Sequence, residues 1–504
     1  MAITKINKIG KLIEQLREKS NLTQGELAKR INTSQSAIAR IENGEQNLTT
    51  SMLEKIEKAL RHDIVTLAKG TINFKIEGGR SLSGTVATNT SKNSAVGLLC
   101  ASLLNRSVTV LKNMPKIEEV FRLIEVLQSI GVKVTWDNAD ITIVPPKKFD
   151  LSTINIEAAM KTRSIIMFIG PLIHHLQKFS LPQVGGCKLG SRTVKPHFFA
   201  LERMGVSIKA TADAYVVSRK KVKPAYIVMY ESGDTTTENV LMAAARTPGA
   251  TTIKFASANY MVQDMCFFLE SLGVKVEGIG TSTLIVHGLE DINVPLTFYP
   301  SEDPTETMFF LAAAAVTQSG ITITRAPIDF VELELLKLEK MGFKYTLSDR
   351  YKALNGRTDL VDITTYPSTL VALDEKIHPS VFPGLNMDNL PFFAVIATQA
   401  KGQTLIHDWV YEKRAIYYIE LEKLGASMVL ADPHRIYING ATPLKAAEIV
   451  CPPALRPATI ILIGMLAAKG TSMLRNVYSI NRGYEDLAER LNAIGARVEL
   501  IREQ

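Results

Sequence analysis

The sequence predicts an α/β (α+β) protein, six βαβαββ repeats gathered into two domains of three, behind an all-α module of five short helices. Six times after residue 71, an apolar helix end runs into a turn glycine and then an alternating strand pair. The turn glycines are Gly131, Gly205, Gly273, Gly342, Gly425 and Gly495, at intervals of 74, 68, 69, 83 and 70 residues. Units of that length exceed the roughly 20–50 residues of a solenoid repeat, so they are expected to form compact domains. Composition agrees: 504 residues, 46% hydrophobic and 21% charged, supply a sizeable core and exclude a disordered chain.

The first seventy residues carry twelve Lys/Arg against eight Asp/Glu, half of the net charge of +8 in one seventh of the length. A small basic module beside a nearly balanced body points to a polyanion partner for the module alone. Ile9, Leu12, Ile13 and Leu16 recur at helical spacing, and Thr23-Gln24-Gly25-Glu26 is a capping box that starts a helix over Gln24–Arg30. Thr33 and Ser34 cap a second helix, Gln35–Glu42, which ends at Asn43-Gly44, and a later one over Ser51–Leu60 puts Leu53, Ile56 and Leu60 on one face. In the body, the period is helical over Ala95–Leu104 and Ile117–Ile130 and strand-like over Val132–Val144.

The longest apolar stretches, Phe309–Val316 and Ile460–Ala468, are far short of the ~18 residues of a membrane span, and the N-terminus has no signal-peptide apolar block. Cys100, Cys187, Cys266 and Cys451 lie far apart, without metal-ligand spacing, so neither a disulfide scaffold nor a metal finger is expected. The expectation is a cytoplasmic protein with no metal and no organic cofactor.

The string TQGELAKRINTSQSAIARIENG, with Ala28, Ile31, Ile38 and Ile41 as buried positions, resembles the Cro/C1-type helix-turn-helix family over about residues 7–68. The resemblance implies a DNA-binding domain at 1–68. Gln35, Ser36 and Arg40 would lie on the recognition helix, with Gln35 and Arg40 facing base edges and Gln24 touching phosphate. With so few surplus cations, DNA affinity would call for a dimer on two half-sites. A dimerisation module that keeps the fold without reading DNA is the alternative.

The six units resemble the enolpyruvyl transferase family over essentially all of 71–504, in its branch that acts on UDP-N-acetylglucosamine. The resemblance implies one domain from 71–91 with 301–504, a second from 92–300, inward-packed helices, outer sheets and an active site in the cleft between. The implied activity is transfer of the enolpyruvyl group from phosphoenolpyruvate to the sugar 3-hydroxyl, the first committed step of peptidoglycan synthesis. Gly185-Gly186-Cys187-Lys188-Leu189-Gly190-Ser191-Arg192 matches the family's cysteine loop. Nearby cations favour a reactive thiol there, and Cys187 would protonate or transiently capture phosphoenolpyruvate. That loop also disfavours a shikimate-pathway activity.

Lys92-Asn93 ahead of an apolar helix offers a phosphate seat, Lys92 for phosphoenolpyruvate and Asn93 for both substrates. Arg163, Arg192, Arg414, Arg456 and Arg482 match family arginines, whose guanidinium groups suit phosphate, diphosphate and carboxylate. By that match Arg163 serves the UDP-sugar, Arg414, Arg456 and Arg482 serve phosphoenolpyruvate, and Arg192 serves both. Arg192, Thr193, Val194, Lys195 and Pro196 would flank the uridine diphosphate, although the family's usual Pro and Asp are Thr193 and Lys195 here. Ser232, Gly233 and Val410 would add nucleotide contacts.

The sequence departs from the family at its acidic positions. The expected Asp after Phe382-Pro383 falls on Leu385 by direct count or Asn386 after a one-residue shift, and the nearest carboxylate is Asp388. A second expected Asp is Ala454, and Asp303 keeps an acidic position whose neighbouring Arg is Pro304. Asp388 or Asp303 would then act as base. Two functions remain open: an active transferase with an added DNA-binding module, or a catalytically impaired cell-wall-precursor sensor that regulates transcription. The short join at Lys69-Gly70-Thr71 predicts direct contact between module and body.

Overall fold

The computed structural model describes residues 13–14, 17–18, 22–31, 33–43, 52, 55–56, 59, 72–183 and 193–502. Two compact units make up the chain, 1–73 with 500–504 and 74–499. The join at Lys69-Gly70-Thr71 lies outside the described residues, as do Ile9, Leu12, Leu16, Leu53 and Leu60.

In the module, helices Gln24–Arg30 and Gln35–Glu42 have the predicted bounds. Thr23 accepts from the Glu26 backbone N–H while the Glu26 carboxylate accepts from that of Thr23, which completes the capping box. Ser34 caps the second helix by accepting from Ala37 N–H. Leu27, Ala28, Ile31, Ile38 and Ile41 form a small core with Ile13 and Ile56. Arg17 and Glu42 are buried beside it as a bidentate pair, at 2.6 and 3.0 Å.

In the body, the repeat shows as a recurring sheet order among the described residues. Leu296–Phe298 runs parallel to Thr109–Leu111, which pairs antiparallel with Asp140–Val144 and through it with Lys133–Asp137. The same order returns in 226–228, 249–254, 283–288 and 275–277, and again in 83–87, 320–327, 359–366 and 344–347. A fourth sheet runs Glu448–Val450, Gly470–Arg475, Ile72–Gly78 and Val498–Arg502, and two three-stranded sheets, around Ala214–Arg219 and Arg435–Gly440, keep the antiparallel part. All six turn glycines have φ between +87° and +96°. That left-handed geometry closes each helix end and turns the chain into the strand pair, and it selects glycine.

The helices behind these sheets are apolar nearly all round, which places them inside. Lys92–Ala101, Asp234–Ala245 and Tyr260–Ser271 pack on one another, and so do Pro304–Val316, Leu390–Ala397 and Leu455–Ala467, whose side chains are almost all buried. The first of these helices begins at Lys92, three residues earlier than its apolar period suggests. Ser91 caps it and accepts from Ser94 N–H, so Lys92 and Asn93 form its first turn. No helix of the described residues is long and apolar enough to cross a membrane.

Candidate functional site

A cavity of about 680 Å³ opens in the body, with walls from segments distant in sequence. Lys92 and Asn93 come from the helix start just described. Arg163 opens the short helical stretch Arg163–Phe168, whose cap Thr162 accepts from Ser164 N–H. Ser232 and Gly233 lie at the start of helix Asp234–Ala245, Arg456 in the first turn of Leu455–Ala467, and Arg482 at the end of Tyr478–Asn481. Thr193, Val194, Asn386, Asp388 and Val410 complete the predicted residues on its walls.

Four cations therefore meet in one space. Lys92 Nζ lies 3.2 Å and Arg482 Nη2 3.7 Å from the same Glu119 oxygen. Burial pushes the Glu119 carboxyl up, but Lys92 and Arg482 outweigh it and hold the group below its usual range. Arg456 Nη2 donates to Asp388 Oδ2 at 3.2 Å and Nη1 to the Tyr484 hydroxyl at 3.1 Å. Asp388 N–H donates to Asn386 Oδ1 at 2.8 Å, a local turn that fixes the backbone at the cavity edge. Asn93 Nδ2 donates to the Tyr260 hydroxyl at 3.0 Å, and burial raises that phenol well above its ordinary pKa. Burial also raises Asp234, although Ser257 and Asn259 hydrogen-bond it, and raises Glu238 further. His197 is held neutral, its pKa lowered to about 3 by burial and by Arg163. The walls thus present fixed cations while two of the inner carboxyls are pushed toward the neutral form, which suits an anionic ligand.

Two family models match the chain. The model for EPSP synthase (3-phosphoshikimate 1-carboxyvinyltransferase) matches residues 76–491, and the helix-turn-helix model matches 13–65. The chain belongs to the EPSP synthase family. Relatives of this EPSP synthase-family chain include the UDP-N-acetylglucosamine 1-carboxyvinyltransferase of Bradyrhizobium diazoefficiens, 31% identical over 439 residues, 86% of this chain and 99% of that one. The protein of the same name from Treponema denticola is 32% identical over 428 residues, 85% of this chain and 99% of that one. The enolpyruvyl transferase NikO from Streptomyces tendae shares the fold, with a TM-score of 0.73 at 23% identity, covering 86% of this chain and all of that one.

Several predicted positions of this EPSP synthase-family chain fall elsewhere. Cys187 and Arg192 lie outside the described residues. Lys195 is exposed and Pro196 buried at the start of helix Lys195–Glu202, and neither is on the cavity wall, whereas His197 is. Leu385 is buried, so the direct count from Phe382-Pro383 leads into the core, while Asn386 and Asp388 reach the cavity. Asp303 is not on the wall. It caps helix Pro304–Val316, its Oδ1 accepting from Thr305 and Glu306 N–H and its Oδ2 from Lys92 N–H at 3.3 Å, which ties it to the backbone at the lysine. Arg414 is fully buried, its guanidinium paired with Asp408, and it does not line the cavity. Ala454, where an Asp was expected, starts its helix without a side-chain cap.

Glu119, Asp234, His197, Tyr260, Trp409 and Tyr411 line the site without having been singled out. For Tyr260 and Trp409 no sequence signal marks them. Glu119, in Ile117-Glu118-Glu119, carried the weak signal of a helix start rich in acid. On the module, Gln35, Ser36 and Arg40 are exposed on the second helix. Gln24 is half-buried, and its amide donates to Glu42 at 2.8 Å, which ties it to the buried Arg17–Glu42 pair.

Proposed function

We propose that this chain transfers the enolpyruvyl group of phosphoenolpyruvate to the 3-hydroxyl of UDP-N-acetylglucosamine, the step that commits the sugar to peptidoglycan. The observation that carries this reading is the meeting of Lys92, Arg163, Arg456 and Arg482 in a single cavity that Asp388 also lines. Relatives named for that activity, matched over 86% of the chain, support it. Residues 92–300 form one lobe and 71–91 with 301–504 the other, closing over the substrates.

In the mechanism, Asp388 takes the proton of the sugar hydroxyl as the oxygen bonds to C2 of phosphoenolpyruvate. The C3 methylene gains a proton, for which Cys187 is the acid. The tetrahedral adduct then loses a C3 proton and phosphate together, and the C=C bond re-forms. The cations stabilise the charge that develops on phosphate and carboxylate, and Asn93 orients the sugar. Thr193, Val194, Ser232, Gly233, Asn386 and Val410 serve the nucleotide side.

The helix-turn-helix match favours a second role in the same chain, binding of double-stranded DNA through Gln35, Ser36 and Arg40. Phosphate release from phosphoenolpyruvate, with and without UDP-N-acetylglucosamine, tests the first reading. Sugar-dependent release supports it. Saturable sugar binding without release would replace it with a precursor sensor that acts on transcription.

A further inference from the structure

Two segments contribute to one part of the cavity wall, 379–388 with Asn386 and Asp388, and 408–414 with Trp409 and Val410. They are joined at two points. Trp409 Nε1 donates to the Pro379 carbonyl at 2.9 Å, and Arg414 Nη2 donates to the Met387 carbonyl at 2.7 Å. The second join is the better anchored. The Arg414 guanidinium pairs with Asp408 through Nε and Nη2, the Tyr418 hydroxyl donates to the same carboxylate at 2.6 Å, and Asp408 is itself fully buried. The Asp408 backbone is held as well, its N–H donating to the His434 carbonyl at 2.7 Å. Arg414 also lies over Tyr411, its Cζ 4.3 Å from the ring centroid.

We propose that Arg414 is a positioning residue, which fixes Asp388 by clasping the Met387 carbonyl to the Asp408 segment, and that it is not a ligand for the substrate anions. The peptide that carries this clasp immediately precedes Asp388. A guanidinium forked onto a buried carboxylate is rigid in a way that a lysine is not, because two parallel N–H bonds fix its plane. Any tilt of the fork moves Met387 and, with it, Asp388. A displacement near 1 Å in a reacting group costs on the order of 100-fold in rate.

The inference rests on the proposed transferase reading for its kinetic arm but not for its spectroscopic one. The chain has two tryptophans, Trp136 and Trp409, so in a Trp136→Phe background Trp409 alone reports the clasped segment. Two variants are compared in that background. Arg414→Lys keeps the charge but loses the fork, and the double variant Arg414→Met with Asp408→Leu leaves no unpaired buried charge that would block folding. The expected result is a shifted Trp409 emission and about twofold greater acrylamide quenching, with kcat down roughly 10- to 100-fold and the KM for phosphoenolpyruvate within about threefold of native. Arg414→Lys should lie between native and double variant. A KM for phosphoenolpyruvate raised about tenfold at unchanged kcat would assign Arg414 to the substrate and overturn the proposal. Unchanged emission and quenching in both variants would overturn it too. Should native protein release no phosphate, the transferase reading fails and the Trp409 signal alone decides the clasp.

Discussion

Asp388→Asn separates chemistry from structure at this site. The carboxylate accepts from Arg456 at 3.2 Å, with about a quarter of the Asp388 side chain still exposed. The substitution keeps the shape and one acceptor oxygen, and Arg456 keeps its bond to Tyr484. The Asp388 backbone is held independently through Asn386. Stability should therefore fall by only about 1 kcal/mol, the value of a partly screened ion pair replaced by a neutral hydrogen bond. Loss of a general base, in contrast, removes about 10²–10⁴ in rate, or roughly 3–5 kcal/mol of transition-state stabilisation. The rate effect thus exceeds the stability effect by a wide margin. Phosphate release at saturating substrates, measured alongside a thermal melt, should show kcat down at least 100-fold with Tm lowered by a few degrees or less. Adding Asn386→Asp, which returns a carboxylate to the cavity wall one turn residue away, should recover part of the loss. An Asp388→Asn enzyme within about threefold of native would refute the assignment of the base.

Three other expectations concern stability and DNA. His197 is kept neutral in the fold, with a pKa lowered to about 3 by burial and by Arg163, so stability is full above pH 6.5 and is lost as pH falls toward 3. At pH 5 this one group accounts for about 2 kcal/mol, and His197→Gln should flatten the dependence of the urea midpoint on pH between 7 and 5; equal slopes in the two proteins would count against it. In the module, Glu42→Ala leaves the buried Arg17 without its partner and should destabilise that unit by about 3–5 kcal/mol, measured by hydrogen exchange of helices Gln24–Arg30 and Gln35–Glu42 in the full chain. Arg40→Ala should weaken binding to a duplex selected from a random pool by about 1–3 kcal/mol at fixed salt in an anisotropy titration, and a failure of the native chain to enrich any sequence would remove the DNA role altogether.

What the sequence made legible was whatever the backbone or a fixed register demands. Only glycine sits easily at φ near +90°, so six helix ends could be counted from six glycines, and the repeat with them. The capping box at Thr23 and Glu26 and the cap at Ser34 are equally local, and both module helices have the predicted bounds. Lys92, Asn93, Arg163, Arg456 and Arg482 could be picked out because the family resemblance supplies their register, and all five reach the cavity. What stayed hidden depends on pairing at a distance. A cation in sequence does not say whether a carboxylate will claim it, and Asp408 claims Arg414 just as Glu42 claims the Gln24 amide. At Asp303 a local signal was there to read: an acid ahead of Pro304, with Glu306 soon after, is a helix start, and the carboxylate accepts from backbone N–H groups.

The same physics accounts for the displaced carboxylate. Arg456 is nine-tenths buried in the cavity wall, where an acid beside it and the Tyr484 hydroxyl together offset the hydration its guanidinium gives up. Ala454 cannot supply one, and Asn386, whose oxygen is turned back to the Asp388 N–H, cannot neutralise it. Asp388 does, from three residues beyond the place given by the direct count. An acid that balances Arg456 at rest is also the only carboxylate the 386–388 segment offers to the cavity, so charge balance and proton transfer fall to one side chain. The partial exposure of Asp388 and the retained Arg456–Tyr484 bond soften the loss of charge balance, so its replacement should slow the reaction far more than it unsettles the fold, and Arg414, which holds the preceding peptide, should be felt in kcat.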